Sequence, residues 1–229
     1  MALSPEVDLQ KPARFAARQP ILSAREQVIA YKLLFRTDFR NYFSSADPDI
    51  ATRGVIDMSS LVGLNTLCNG RLAFIVTTRE ILMGEYLALL PPNKTVAEIE
   101  NTVAPDSAIV QACERLKRDG YKIALGSFTV DDPREPIIGI ADFVKVDIKR
   151  TPLEAVSRLM SRLGATHCHL LAEKVETRED FEFAKAVGFD HFEGYFFRKP
   201  EMMRARGVQT NRTVFLRLLA SVSKPNCSC

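Results

Sequence analysis

The sequence predicts an α/β fold, because stretches that fit buried strands alternate with stretches that fit helices. The strand-like stretches are short apolar runs at residues 72–76, 95–99, 121–125 and 143–148, and apolar side chains recur at helical spacing between them. Alternation this frequent favours a parallel, closed barrel over an open sheet, but periodicity alone does not decide between the two.

The composition fits a globular protein. The chain has 229 residues, of which 46% are hydrophobic, enough for one sizeable core. Its net charge of +3 gives no electrostatic case for nucleic acid or an anionic membrane, and no stretch fits a membrane span or a signal peptide. The five cysteines lack Cys-X-X-Cys spacing, so we expect buried free thiols in a cytoplasmic protein.

The first part of the chain is predicted to form a hairpin and then a helix. After a polar lead at residues 1–12, two β-like runs at residues 14–20 and 28–35 predict a β-hairpin. Asp47-Pro48 fits a helix start, and Asn69-Gly70 fits its end. The inward residues are expected to be Ile50, Val55, Met58, Leu61 and Leu64 here, and Leu153, Val156, Leu159, Met160 and Leu163 in a later helix that begins at Pro152.

A β–α–β unit is predicted near the end of the alternating pattern. A buried strand at residues 168–172 ends at Glu173, Thr177 fits a helix N-cap, and a short strand follows at residues 191–195. Parallel α/β folds usually carry their chemistry at strand ends. The carboxylates at or near these strand ends are Glu173, Glu176 and Glu193.

Motifs in this unit resemble those of EAL domains, the bacterial phosphodiesterases that hydrolyse cyclic di-GMP. EAL domains usually end in AEGVET and QGYLFARP, and this chain has AEKVET at residues 172–177 and FEGYFFRKP at residues 192–200. Residues 17–36, ARQPILSAREQVIAYKLLFR, are similar to the opening of an EAL domain, closest to the branch in which an HDOD domain follows. The resemblance covers residues 13–200 and implies a modified TIM (β/α)8 barrel with an antiparallel first strand.

The resemblance also divides the chain. We expect a flexible lead at residues 1–12, the EAL-like barrel at residues 13–206, and a helix at residues 207–229. The helix sequence NRTVFLRLLASVSKP is similar to the first helix of an HDOD domain. We therefore hypothesise that the full-length chain continues into an HDOD domain.

The resemblance implies a two-cation active site, and several of its positions are substituted here. Hydrolysis of a phosphodiester with two Mg2+ or Mn2+ ions needs several oxygen ligands. Motif positions that carry a different residue in this chain are Lys32, Val76, Asn101, Gly126, Ser127 and Glu193. Positions that keep the family residue are Glu98, Lys145, Asp147, Glu173 and Glu176.

The charges at these positions argue against metal binding. An intact set would carry a net charge of −5, whereas three carboxylates and two lysines leave −1 here. Lys32 puts a positive charge where a cation would bind, at a cost of about 4 kcal/mol per like pair. We therefore expect neither Mg2+ nor Mn2+ to bind. Glu98, Lys32, Lys145 and Asp147 would instead neutralise one another, and we predict a Lys32–Glu98 ion pair in the vacated metal site.

Two further features suggest ligand contacts. The resemblance makes Gln19, Arg36 and Pro200 candidate nucleotide contacts, since an arginine at the position of Arg36 contacts a ligand phosphate in EAL domains. The run His167-Cys168-His169 suggests a metal site, because both histidines would lie on one face of a strand. However, no third ligand is near in sequence. A core or barrel-end role is the favoured interpretation of these histidines.

Three functions follow from the resemblance. The first is a catalytically inactive module that regulates signalling through protein partners, in tandem with an HDOD domain. The second is a receptor that binds cyclic di-GMP without cleaving it, and the third is a weak phosphodiesterase. EAL domains often dimerise, so a homodimer is also a candidate state.

Overall fold

The computed structural model of the protein describes residues 15–36 and 47–204. The predicted lead at residues 1–12 and the predicted helix at residues 207–229 lie outside these ranges. No helix of the described residues is long and apolar enough to cross a membrane.

The described residues form one mixed sheet with helices around it. The strands are β1 Phe15–Ser23, β2 Val28–Arg36, β3 Leu72–Thr77, β4 Thr95–Ile99, β5 Lys122–Leu125, β6 Phe143–Asp147, β7 His169–Glu173, β8 His191–Glu193 and β9 Glu201–Arg204. The helices are α1 Pro48–Val62, α2 Leu64–Leu67, α3 Arg79–Met83, α4 Ser107–Arg118, α5 Leu153–Leu163 and α6 Arg178–Ala186, with 3-10 turns at Tyr86–Leu89, Pro92–Lys94 and Glu135–Ile140.

The sheet closes into a barrel through its first strand. Strands β2 to β8 are parallel neighbours in chain order, while β1 pairs antiparallel with both β2 and β8. The outer end of β1 also pairs with β9, which adds a ninth strand beside the barrel. The predicted modified TIM barrel with an antiparallel first strand is therefore confirmed.

Local signals explain where the main helices begin. The Asp47 carboxylate accepts a hydrogen bond from the Asp49 N–H at the start of α1. Thr177 and Asp180 form a capping box at the start of α6, as the sequence predicts. Gly188, with φ of 101°, follows the end of α6 in a conformation that favours glycine.

The predicted inward faces of two helices are partly wrong. Ile50 and Leu61 are exposed, because residues eleven apart lie on the same side of an α-helix and this side of α1 faces outward. The helix ends at Val62, and Gly63 with φ of 87° separates it from α2. Leu153 is exposed at the first position of α5, where no preceding turn lies beneath its side chain.

The barrel interior is layered. Its apolar layer contains Ile21, Ala30, Phe74, Val96, Ala124, Phe143 and Leu171. Above this layer, toward the carboxyl ends of the parallel strands, the interior side chains are charged. We call this end of the barrel the mouth and the opposite end the floor.

Candidate functional site at the barrel mouth

Five charged side chains from five strands meet inside the mouth. We call them the charge cluster: Lys32 of β2, Glu98 of β4, Lys145 of β6, Glu173 of β7 and Glu193 of β8. They converge because the parallel strands of a barrel bring their carboxyl ends to one rim.

Lys145 is the centre of the cluster. Its Nζ lies 2.9 Å from Glu98 Oε2, 2.9 Å from Glu173 Oε1 and 2.8 Å from Glu193 Oε2. The side chain is fully buried, so each of its three N–H donors needs a partner inside the protein. Three carboxylates match that requirement.

Lys32 supplies the second positive charge. Its Nζ donates to Glu98 Oε1 at 2.7 Å, which confirms the predicted Lys32–Glu98 ion pair, and it lies 4.0 Å from Glu173 Oε1. Glu98 therefore bridges the two lysines, with one carboxylate oxygen on each. The three carboxylates and two ammonium groups leave one net negative charge.

The pKa values follow from this pairing. Burial would lower the pKa of Lys145, but the carboxylates of Glu173, Glu193 and Glu98 outweigh it and hold the pKa well above its usual range. Burial would raise the pKa of Glu173, but Lys145 and Lys32 lower it to about 2. Lys145 and Glu173 are therefore both charged at neutral pH.

The loop after β5 also belongs to the site. Ser127 donates to Glu173 Oε2 from its N–H at 3.1 Å and from its hydroxyl at 2.9 Å. A Cβ on Gly126 would lie only 3.1 Å from Glu98 Oε1. The family resemblance expects a pair of carboxylates at these two positions. Instead, Ser127 donates hydrogen bonds to Glu173, and the backbone of Gly126 lies close to the Glu98 carboxylate.

A buried arginine holds this loop in place. The Arg134 guanidinium is fully buried and forms a two-point ion pair with Asp132. It also donates to the carbonyl oxygens of Ile99 and Gly126, both at 2.8 Å. Arg134 therefore joins the end of β4 to the loop that carries Ser127.

Asp147 was expected in the charge cluster, and this expectation is wrong. Its carboxylate accepts hydrogen bonds from the N–H groups of Lys149 and Arg150 in the turn after β6. Such local bonding to the following backbone is typical of aspartate. Glu193 takes its place in the cluster, because the pairing of β8 with β1 brings Glu193 opposite Ile21, an interior residue.

The remaining predicted site residues lie outside the cluster. Gln19 is buried and donates to the carbonyl oxygens of Gly194 and Arg198, while its own Oε1 has no partner. The side chain of Arg36 falls outside the described part of the structure, so that prediction stays untested. Val76 is half-buried on β3, Asn101 and Glu176 are exposed, and Pro200 is half-buried just before β9.

The histidine run does not form the expected strand face. His167 precedes β7, and His169 stacks instead on His191 with ring centroids 5.1 Å apart. Within residues 15–36 and 47–204, no group of three or more His, Cys, Asp or Glu side chains is placed to hold a metal ion. The described cysteines, Cys68, Cys113 and Cys168, are buried free thiols as predicted, and burial raises the pKa of Cys68 to about 12.

The donor set at the mouth does not fit the two divalent cations of the family. The carboxylate oxygens that are offered by Glu98 and Glu173 already accept from ammonium or Ser127 donors. Val76 and Gly126 have no side-chain oxygen to add.

Comparisons with known proteins agree with the fold. No family model matches the chain. The chain is 32% identical over 216 residues to the uncharacterized protein YuxH of Bacillus subtilis, covering 92% of this chain and 53% of that protein. It is 33% identical over 215 residues to the cyclic di-GMP phosphodiesterase CdgJ of Vibrio cholerae, covering 92% and 50%. The chain thus spans about half the length of the curated relatives it matches.

Solved structures give the same fold. The phosphodiesterase PaMucR in complex with c-di-GMP superposes with a TM-score of 0.69 at 16% identity, covering 86% of this chain and 94% of that chain. The YkuI protein of Bacillus subtilis, which has an EAL domain, gives a TM-score of 0.67 at 18% identity, covering 91% and 61%. The fold is therefore that of EAL-type modified TIM barrels.

Proposed function

We propose that this chain is a catalytically inactive EAL-like domain that acts as a regulatory, protein-interaction module in cyclic di-GMP-related signalling. The charge cluster is the observation that carries the proposal. Its two ammonium groups lie among the carboxylates that would otherwise bind divalent cations.

The geometry argues against two-cation hydrolysis in two ways. An Mg2+ or Mn2+ ion would have to displace Lys145 from Glu98 and Glu173, which would leave a fully buried ammonium group with one of its three carboxylate partners, Glu193. Removing the partners of a buried charge costs roughly 3–5 kcal/mol. In addition, Lys32 would repel the incoming ion at close range.

The output is proposed to pass through protein contacts. An inactive barrel retains an outer surface and loops that can contact a partner, and the resemblance of residues 211–225 to an HDOD helix supports an HDOD domain in the same full-length chain. A homodimer and a cytoplasmic location belong to the same proposal.

The alternative is a receptor that binds cyclic di-GMP without cleaving it. It is favoured by Gln19, whose amide oxygen is buried at the mouth without a partner. A weak phosphodiesterase is the third function. It is supported by the similarity to CdgJ, a cyclic di-GMP phosphodiesterase.

Calorimetric titration of cyclic di-GMP into the full chain, with Mg2+, with Mn2+ and with neither, tests these functions. The inactive-module proposal expects no hydrolysis in any buffer and no metal-dependent binding. Binding without metal that weakens in Arg36→Ala but not in the exposed control Arg71→Ala would favour the receptor. Metal-dependent turnover that is abolished by Glu173→Gln would overturn the proposal and establish the phosphodiesterase.

A further inference from the structure

The floor of the barrel contains three rings in contact, two of which are stacked imidazoles. Phe143, His169 and His191 are the first residues of β6, β7 and β8. The Phe143 ring lies 5.6 Å from the His169 ring and 5.9 Å from the His191 ring, and the two imidazoles lie 5.1 Å apart and nearly parallel. We call these three side chains the ring stack.

His191 has an unusual environment for a titratable group. Its Nδ1 is buried and has no hydrogen-bond partner. The charged or titratable groups that face it are His169, on β7, and Asp190, next to it in the chain. The Asp190 carboxylate is engaged, since Oδ2 accepts from the Leu170 N–H at 2.9 Å and lies 3.7 Å from His169 Nδ1. The β6 and β1 residues beside His191, Phe143 and Ser23, carry no charge.

The strand that begins with His191 also reaches the mouth. Strand β8 is only three residues long, and alternate residues of a strand point to the same face. His191 therefore faces the ring stack, and Glu193 faces the charge cluster, where it binds Lys145 at 2.8 Å. The strand is held on one side by β7 and on the other by β1, through two and three residue pairs respectively.

We propose that β8 is an acid-sensitive strand, in which protonation of His191 loosens the ring stack, displaces β8 and withdraws Glu193 from Lys145. A positive charge on His191 would lie against the His169 ring, with only the engaged Asp190 carboxylate nearby. The imidazole of His191 takes up a proton from solvent and gains one N–H bond, and no other covalent bond changes. A change at the floor would thereby alter the charge cluster at the mouth, because β8 contributes His191 to one and Glu193 to the other.

The pKa of His191 is consistent with a protonation that disfavours the folded arrangement of β8. Burial lowers the pKa of His191 below its ordinary value of 6.5, and this effect, with a smaller one from His169, outweighs the backbone and carboxylate of Asp190, which raise the pKa. Because the pKa is lowered in the folded protein, the arrangement with neutral His191 is favoured above pH 6.5 and weakens as the pH falls below it.

Hydrogen–deuterium exchange of the full chain at pH 7.5 and pH 5.5 tests the proposal, with rates corrected for the intrinsic effect of pH. We expect peptides that cover residues 189–196 to lose protection on the order of tenfold at the lower pH, while peptides of β4 keep theirs. His191→Phe keeps a ring in the stack and removes the titration, so its β8 peptides should stay protected at both pH values.

Unchanged protection of β8 in the wild-type chain would overturn the proposal, and so would an equal loss in His191→Phe. Should that variant not fold, an NMR titration of the wild-type chain decides the matter. The amide shifts of β8 must follow the titration of the His191 imidazole, and shifts that are independent of it would refute the coupling. The readout is strand protection, so the result does not depend on whether the proposed function holds.

Discussion

The mouth and the floor of the barrel solve the same packing problem with different side chains. Each must fill the end of a closed barrel with side chains that include polar groups. The mouth does so with charges that neutralise one another, since Lys145 is fully buried among three carboxylates. The floor does so with rings, and it leaves His191 Nδ1 without a partner.

The mouth is therefore sensitive to the loss of a single charged group, and the floor is sensitive to a change of pH. Paired charges at the mouth depend on every partner, because removing one leaves the others buried and uncompensated. The ring stack at the floor depends on a neutral His191.

Lys145→Met should destabilise the protein most. It leaves Glu98, Glu173 and Glu193 with Lys32 as the cluster's one remaining cation, and we expect a loss of about 3–5 kcal/mol in the free energy of unfolding. Denaturant titration measures it. Lys185→Met on the exposed side of α6 is the matched control and should change the free energy of unfolding by less than about 0.5 kcal/mol. Equal effects of the two variants would mean that the cluster contributes little.

Gly194→Ala should come next, because a Cβ at this position would lie 1.9 Å from the Val175 carbonyl oxygen. The backbone here joins β8 to the loop after β7, since the Val175 N–H donates to the Glu193 carbonyl oxygen. We expect a loss of about 1–3 kcal/mol or more in a denaturant titration. Gly139→Ala, where nothing lies within 4 Å of the added Cβ, should be nearly neutral. An unchanged free energy of unfolding in Gly194→Ala would contradict the close contact between Gly194 and the Val175 backbone.

Acid should weaken the floor before the mouth. Stability from neutral His191 is present above pH 6.5 and is lost as the pH falls below that value. The pKa of Glu173 is lowered from 4.5 to about 2, so its contribution is present above pH 4.5 and is lost between there and pH 2. The melting temperature, measured at a series of pH values across this range, should fall in two steps as the pH is lowered. His191→Phe should remove the step near pH 6.5 and keep the step below pH 4.5. A single step that is the same in the wild-type chain and in His191→Phe would contradict this difference between floor and mouth.

Lys174→Gly should stabilise the protein slightly. Lys174 occupies the glycine position of the AEGVET motif and has φ of 64°, where a side chain is strained. We expect a gain of about 0.5–1 kcal/mol in a denaturant titration. The same exchange in a helix, Lys185→Gly, should cost about 1 kcal/mol, and a loss in both variants would show that the strain at Lys174 is small.

Much of the fold could be predicted because its signals are local. The hairpin of β1 and β2, the starts of α1 and α6, and the strands from β3 to β7 follow from capping residues and apolar runs. Helix α3 and strand β9 were missed, because they have five and four residues and no periodicity that marks them.

The candidate site was predicted in part. The motif alignment identified Lys32 and Glu98 as an ion pair, and the structure confirms it. The alignment also predicted that Asp147 joins the charge cluster, whereas Glu193 occupies that place in the structure. A signal for this exchange was present in the sequence, since Asp147 is followed by a turn, where aspartate bonds to its own backbone.

The order of strands and helices along the chain could be read from the sequence, because it depends on neighbouring residues. The resemblance to EAL domains and the loss of motif carboxylates could also be read from it, because they depend on short motifs. Only the tertiary structure decided that Glu193 joins Lys145, that Arg134 fixes the loop after β5, and that His191 and Glu193 lie on one short strand between floor and mouth. These contacts join residues far apart in the chain, and barrel closure through β1 sets their register.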